Sequence, residues 1–193
     1  MQCEKLNINV DSEQLLIDLQ YYIQEVTKIA DKWPDDIIRV MCNYPSGTAH
    51  YTSHKRKGEK WDIIENNHVK LYTRYTKFGT RMVSAYLKKE DTISPYVKKL
   101  IKTLGVNGKV QVAIVYAGSK FRLEKHIDTM GLTRYHIPLT SNKDSYFEIF
   151  ESEKKFYPKP GEIWKLDTSK EHAANNDSLT HSRIHLIVDF LDE

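Results

Sequence analysis

The feature that most restricts this chain is a change of hydrophobic period near residue 106. From there on, apolar and polar side chains tend to alternate, beginning with Val110-Gln111-Val112-Ala113-Ile114-Val115-Tyr116. Alternation at period two puts successive side chains on opposite faces of a strand. Further segments of the same kind are expected at 121–128, 134–140, 146–150, 155–157, 162–166 and 183–191. Turn-forming residues separate them: Gly118-Ser119, Gly131, Ser141-Asn142-Lys143-Asp144, Pro160-Gly161 and Asn175-Asn176-Asp177. Many short strands at this spacing must close a sandwich or barrel to bury their apolar faces. The expected fold is mainly β, a double-stranded β-helix (jelly roll) of the cupin kind.

Residues 1–105 read differently. Leu15, Leu19, Tyr22, Val26 and Ile29 recur at helical spacing after a cap at Asp11 or Ser12, which predicts a helix over 12–32 ended by Trp33-Pro34. Ser94 as N-cap, Pro95 at the first helical position and Gly105 as a stop frame a second helix, 95–104. Between them, residues 43–68 are rich in Ser, Gly, Asn, His and Lys and read as a long irregular region bordering a substrate. We therefore expect one structural domain with two parts. Residues 1–105 form a helical and irregular support whose helices pack outside one sheet, and residues 106–193 form the β core.

Composition limits the function classes. The formal net charge is +3, and the densest basic run, His54-Lys55-Arg56-Lys57, is too short to argue for nucleic acid. No apolar run approaches a bilayer-spanning length, and Met1-Gln2-Cys3-Glu4-Lys5 lacks the apolar stretch of a signal peptide. Cys3 and Cys42 form neither a CxxC nor a disulfide framework, which suits a reducing compartment. The expectation is a cytoplasmic protein acting on a small molecule, with no nucleic-acid or membrane partner.

The chemistry concentrates at His126-Ile127-Asp128. On a strand, His126 and Asp128 share a face, so an imidazole and a carboxylate can take adjacent positions on a metal. A third ligand must come from elsewhere. His172 is the natural candidate, with His181 and His185 as competitors closer to Arg183. Two histidines and one carboxylate leave one face of an octahedral ion open, the arrangement of non-haem Fe(II) oxygenases. Such iron takes electrons from a co-substrate, usually 2-oxoglutarate, and then binds O₂. A chelating 2-oxoglutarate needs a cation for its far carboxylate. Arg183 suits that task, because a guanidinium stays charged and grips a carboxylate with two parallel hydrogen bonds. Arg183 shares strand parity with His185, Ile187 and Asp189, while Ile184, Leu186 and Val188 take the other face.

Taken in order, His126-x-Asp128, Arg134-Tyr-His136-Ile-Pro-Leu139, Pro160-Gly-Glu-Ile-Trp164-x-Leu-Asp167, His172 and Arg183-Ile-His185-Leu-Ile-Val-Asp189 resemble the aspartyl/asparaginyl β-hydroxylase-like branch of the Fe(II)/2-oxoglutarate oxygenases. Within that branch the pattern is nearest to the bacterial L-proline cis-4-hydroxylase type. The resemblance implies His126, Asp128 and His172 as iron ligands and Arg183 on the C5 carboxylate of 2-oxoglutarate. It places Arg134 and His136 near the co-substrate or the substrate's carboxylate, and Trp164 on the barrel lining. Animal members that hydroxylate aspartyl residues of proteins lack the carboxylate ligand, and related halogenases replace it with chloride. Retention of Asp128 therefore favours hydroxylation.

The resulting expectation is a dioxygenase that hydroxylates an unactivated C–H bond of a free, proline-like amino acid or another small amino-acid-derived substrate. A residue within a peptide or protein is the alternative substrate. A cupin that binds metal without turnover, or a structural jelly roll, are the rivals from other classes.

Overall fold

The computed structural model describes residues 3–32, 37–42, 62–65, 69–75, 81–87, 94–105, 109–128 and 132–191. The N-terminal amphipathic pattern becomes two helices rather than one. α1 (Ser12–Asp18) is capped by Asp11, whose carboxylate accepts from Gln14 N at 3.0 Å. The chain breaks at Leu19 and continues as α2 (Gln20–Ala30). The predicted apolar stripe holds across the break: Leu15, Leu19, Tyr22, Val26 and Ile29 are all buried. The expected stop at Trp33-Pro34 lies outside the described residues. α3 (Pro95–Thr103) starts as expected, with Ser94 Oγ accepting from Val97 N at 3.2 Å. Gly105 ends it in the left-handed region at φ +67°, where a Cβ would be strained. Two polar contacts join α3 to α1: Ser94 Oγ donates to Asp18 Oδ2 at 2.5 Å, and Tyr96 Oη accepts from Asp11 N at 3.0 Å.

The strands are β1 (Cys3–Lys5), β2 (Ile37–Cys42), β3 (Asp62–Glu65), β4 (Val69–Tyr75), β5 (Arg81–Leu87), β6 (Lys109–Ala117), β7 (Leu132–Thr140), β8 (Ser145–Ile149), β9 (Lys154–Phe156), β10 (Trp164–Asp167), β11 (His172–Asn176) and β12 (Arg183–Leu191). Nine of them form a large sheet in the order β1-β10-β7-β12-β6-β2-β5-β4-β3, and β11-β8-β9 form a small one. Pairing is antiparallel throughout except for β2 with β5. This is a double-stranded β-helix. Strands β2–β5 come from the stretch expected to be helical and irregular support. Of the expected irregular region 43–68, Asp62–Glu65 is strand, and the remaining residues lie outside the described residues.

Parity along the central strands decides which residues meet the helices. Val110, Val112 and Ile114 of β6, Tyr135, Ile137 and Leu139 of β7, and Leu186, Val188 and Phe190 of β12 form one buried cluster with the apolar faces of α1, α2 and α3. The helices thus cover the outer face of the large sheet, as expected. The alternate residues turn inward: Gln111, Ala113 and Ala117, then Arg134 and His136, then Arg183, His185, Ile187 and Asp189. Cross-strand register sets Asp189 opposite both Gln111 and Arg134, Ile187 opposite Ala113 and His136, and Arg183 opposite Ala117. Directly opposed residues share a face, so the polar residues of three strands collect on one surface.

Two expectations about the small sheet are corrected. Residues 121–128 are not a continuous strand. They run beside β11 and touch it in two isolated bridges, Arg122 with Asn175 and His126 with His172. The registers of those bridges differ by one residue, so no regular ladder can form between them. Asn175-Asn176 is not a turn but the end of β11. The Asn176 amide donates to the carbonyls of Gly118 and His181, each at 2.7 Å, and accepts from Ser145 Oγ at 3.0 Å. These tertiary hydrogen bonds outweigh the turn preference of asparagine.

Candidate metal centre

His126 and His172 sit at the meeting of the irregular segment and β11. Their backbones exchange two hydrogen bonds, at 3.0 and 2.9 Å, which sets the two side chains side by side with ring centroids 4.3 Å apart. Each ring is oriented by its own chain: His126 Nδ1 donates to Glu124 O at 2.6 Å and His172 Nδ1 to Lys170 O at 2.8 Å. A carbonyl accepts only, so both rings carry the proton on Nδ1 and keep the Nε2 lone pair for a metal. Asp128 is anchored through its N–H to Thr168 O at 2.9 Å. One ligand atom from each of His126, Asp128 and His172 lies within 4.8 Å of the others, a spacing that could hold a metal ion. Burial pushes the His172 pKa down, which favours the neutral ring a metal requires.

Burial opposes the charge on Asp128, but the Arg134 guanidinium beside it wins. Its carboxyl is held well below the usual range. Arg134 Nη1 donates to Asp128 Oδ2 at 2.5 Å, and Nε and Nη2 donate to the two oxygens of Asp189 at 2.7 and 3.0 Å. The fork expected near a co-substrate or substrate carboxylate is thus engaged by two carboxylates of the chain itself.

A second polar group lies deeper. Arg183 is 5% exposed, and its Nε has no hydrogen-bond partner; among the described residues it forms no ion pair. Burial pushes its pKa down to about 10. Its guanidinium carbon lies 5.5 Å from the Phe147 ring centre, and Nη1 is 3.5 Å from His185 Nδ1. His136 completes the cluster, 4.3 Å from Phe147 and 5.9 Å from His185 between ring centres. His136 Nδ1 and His185 Nε2 are also buried without a partner. A buried cation beside these unsatisfied nitrogens fits an anion that the described residues do not supply. That donor set suits a carboxylate.

Trp164 stands opposite His136 in the β10–β7 register. Its Nε1 donates to Glu162 Oε2 at 2.9 Å and its ring packs edge-on against Phe156. Its donor is therefore used within the chain. His181 is exposed and bonded to Thr180, away from the triad. Sequence reasoning left His185 without a role in this cluster. The signal for it was its shared parity with Arg183.

His136 and His185 make a pH prediction. Burial comes first in both shifts, followed by neighbouring positive charge, and both pKa values lie well below the ordinary 6.5. As pH falls below about 6.5, the unfolded chain takes up protons that the folded one refuses. Metal-free stability should fall by about 1.4 kcal/mol per pH unit for each histidine. Urea midpoints at pH 7.5, 6.5 and 5.5 measure this. His185→Gln should remove one histidine's share of the slope, and a flat wild-type profile would contradict the buried neutral assignment.

The candidate His-Asp-His metal centre thus sits in a jelly roll, where the irregular segment and β11 meet. Residues 43–193, more than half of the chain, match the family model for aspartyl/asparaginyl beta-hydroxylase, and the chain belongs to that family. A prolyl-4-hydroxylase from Pseudomonas putida shares the fold over 100% of this chain and 93% of its own, with a TM-score of 0.53 at 7% identity. A cupin-superfamily protein from Desulfitobacterium hafniense overlaps 45% of this chain and 72% of its own (TM-score 0.35, 14% identity). Ectoine synthase from P. lautus overlaps 67% and 68% (TM-score 0.34, 9% identity). No curated protein matches the chain in sequence. Among the described residues, no helix is long and apolar enough to cross a membrane.

Proposed function

We propose that this protein is an Fe(II)- and 2-oxoglutarate-dependent hydroxylase, with His126, Asp128 and His172 as iron ligands. The observation that carries the reading is Arg183, a buried guanidinium without an ion-pair partner among the described residues, beside neutral His136 and His185. Holding such a charge in the interior is costly unless an anion joins it. In this reading Arg183 grips the C5 carboxylate of 2-oxoglutarate, and His136 and His185 offer it neutral hydrogen bonds. Iron with 2-oxoglutarate and O₂ supplies C–H hydroxylation, coupled to release of succinate and CO₂. The chain's own share is placement: fixed imidazole tautomers, an ionised Asp128, a co-substrate anchored at one end, and walls of Phe147, Ile187 and Trp164 that exclude water.

The substrate we propose is a free amino acid or a small relative of one. Proline leads, supported by the resemblance to the L-proline cis-4-hydroxylase type and by the Pseudomonas prolyl-4-hydroxylase fold. A residue within a peptide is the second reading. It is favoured by the engagement of Arg134 with Asp128 and Asp189, since a free amino acid would need another cation for its carboxylate. Residues 106–193 would carry the chemistry and residues 1–105 support it. Cys3 is a buried free thiol whose pKa burial pushes up to about 12, which supports a reducing, cytoplasmic setting.

The test is succinate formation by anaerobically purified protein given Fe(II), 2-oxoglutarate, ascorbate, air and each of the twenty amino acids. Succinate rising with one amino acid is expected. Slow succinate independent of all of them moves the substrate to a peptide. Stoichiometric iron without succinate leaves a non-catalytic metal-binding cupin.

A further inference from the structure

The two oxygens of Asp128 have different surroundings. Oδ2 accepts from Arg134 Nη1 at 2.5 Å and lies 3.9 Å from His172 Nε2, while Oδ1 lies 3.4 Å from His126 Nε2 and accepts nothing from Arg134. Arg134 is itself fixed along its other edge, where Nε and Nη2 meet Asp189 Oδ1 and Oδ2 at 2.7 and 3.0 Å. Asp189 is 0% exposed and sits within β12, register partner of Arg134 on β7. The guanidinium therefore cannot turn its full fork toward Asp128. It presents one donor to one oxygen.

We propose that Asp189 and Arg134 are positioning residues that make Asp128 a one-oxygen metal ligand. This rests on the metal-centre reading above. A free carboxylate can rotate and chelate an ion through both oxygens. An octahedral ion with three protein donors keeps three positions, two for a chelating 2-oxo acid and one for O₂. A second Asp128 oxygen would remove one of them. A charge-assisted hydrogen bond from Arg134 occupies Oδ2 and leaves Oδ1 for the metal. Asp189 in turn limits Arg134. Without that anchor the guanidinium is free to form its two-pronged pair with Asp128, covering both oxygens and competing with the ion.

The two residues therefore fail in different ways, and Mn(II) reads both without turnover. Free Mn(II) measured by electron paramagnetic resonance gives affinity and stoichiometry, and water-proton relaxation counts the waters left on the bound ion. Arg134→Gln should still bind Mn(II) but with one metal-bound water fewer, because Asp128 becomes two-pronged. Asp189→Asn should keep the water count and raise the Mn(II) dissociation constant roughly 10–100-fold. Arg134→Lys should restore the wild-type water count, since one ammonium suffices to occupy Oδ2. Arg134→Gln leaves Asp189 buried and unpaired, so Arg134→Gln/Asp189→Asn, which removes both charges, covers a failure to fold. It should show the same lost water. If these variants shift only the melting temperature, with wild-type affinity and water count, the pair is merely structural and the proposal is overturned. If the wild type binds no Mn(II), or Asp128→Ala binds it equally well, the metal-centre reading itself fails and takes the proposal with it.

Discussion

Arg183→Met should make the metal-free, co-substrate-free protein more stable while crippling its use of 2-oxoglutarate. Burial lowers the Arg183 pKa to about 10, a shift worth roughly 3 kcal/mol against the charged form. No carboxylate among the described residues offsets it. Methionine has a similar length, no charge and the flexibility to fill the space beside Phe147. A gain of about 1–3 kcal/mol is expected, or a rise of several degrees in melting temperature for a chain of this size. Bound 2-oxoglutarate would lose its charge partner, which typically costs about 3–5 kcal/mol. Its apparent affinity should fall on the order of 100-fold or more. Thermal melts with and without 2-oxoglutarate, and its KM in the succinate assay, read both effects. A variant that is less stable and keeps its KM would mark Arg183 as half of a structural pair.

The second large effect belongs to the triad. His172→Ala or Asp128→Ala should abolish stoichiometric Fe(II) binding and succinate formation together. Loss of an outer partner of a metal ligand costs roughly 10–100-fold, and removal of a ligand should exceed that. The folded state should survive in each case. Asp128→Ala leaves Arg134 paired with Asp189, and His172→Ala keeps the backbone bridge to His126, because that bridge uses no side-chain atoms. Iron titration under nitrogen, with circular dichroism as the control for folding, measures this. A His172→Ala protein that binds iron like the wild type would transfer the third ligand to another residue. His185 is the neighbour to test next, being buried in the adjacent cluster.

Between these predictions lies a division of labour that parity explains. The residues of β12 alternate between the helix-covered face and the interior, so Leu186, Val188 and Phe190 build the core while Arg183, His185 and Asp189 face the site. A one-residue slip would exchange the two sets and bury three polar groups in the apolar cluster under the helices. The fit of both faces to their surroundings specifies the register.

Alternation at 110–116, 134–140 and 183–191 was enough to announce strands with one apolar face and one polar face, and helical spacing in 12–30 and 95–104 was enough to announce what would cover them. These are local signals, written in side-chain period and in caps such as Ser94 and Gly105. His126-Ile127-Asp128, His172 and Arg183 were legible for the same reason: few residue types can ligate a metal or stay charged in an interior. Other features depended on partners distant in the chain. Strands β2–β5 become strands by hydrogen bonding to one another and to β6, although Val69-Lys70-Leu71-Tyr72-Thr73-Arg74-Tyr75 alternates along β4 and was passed over. Asn175 and Asn176 read as a turn because asparagine usually makes one, until Ser145, Gly118 and His181 supply the tertiary hydrogen bonds that hold them extended. The pairing of Arg134 with Asp189 and Asp128 was invisible, because nothing in a one-dimensional pattern tells a guanidinium which of several anions it will meet. Periodicity is a property of neighbours along the chain; pairing is a property of neighbours in space, and only the closed β-helix brings those together.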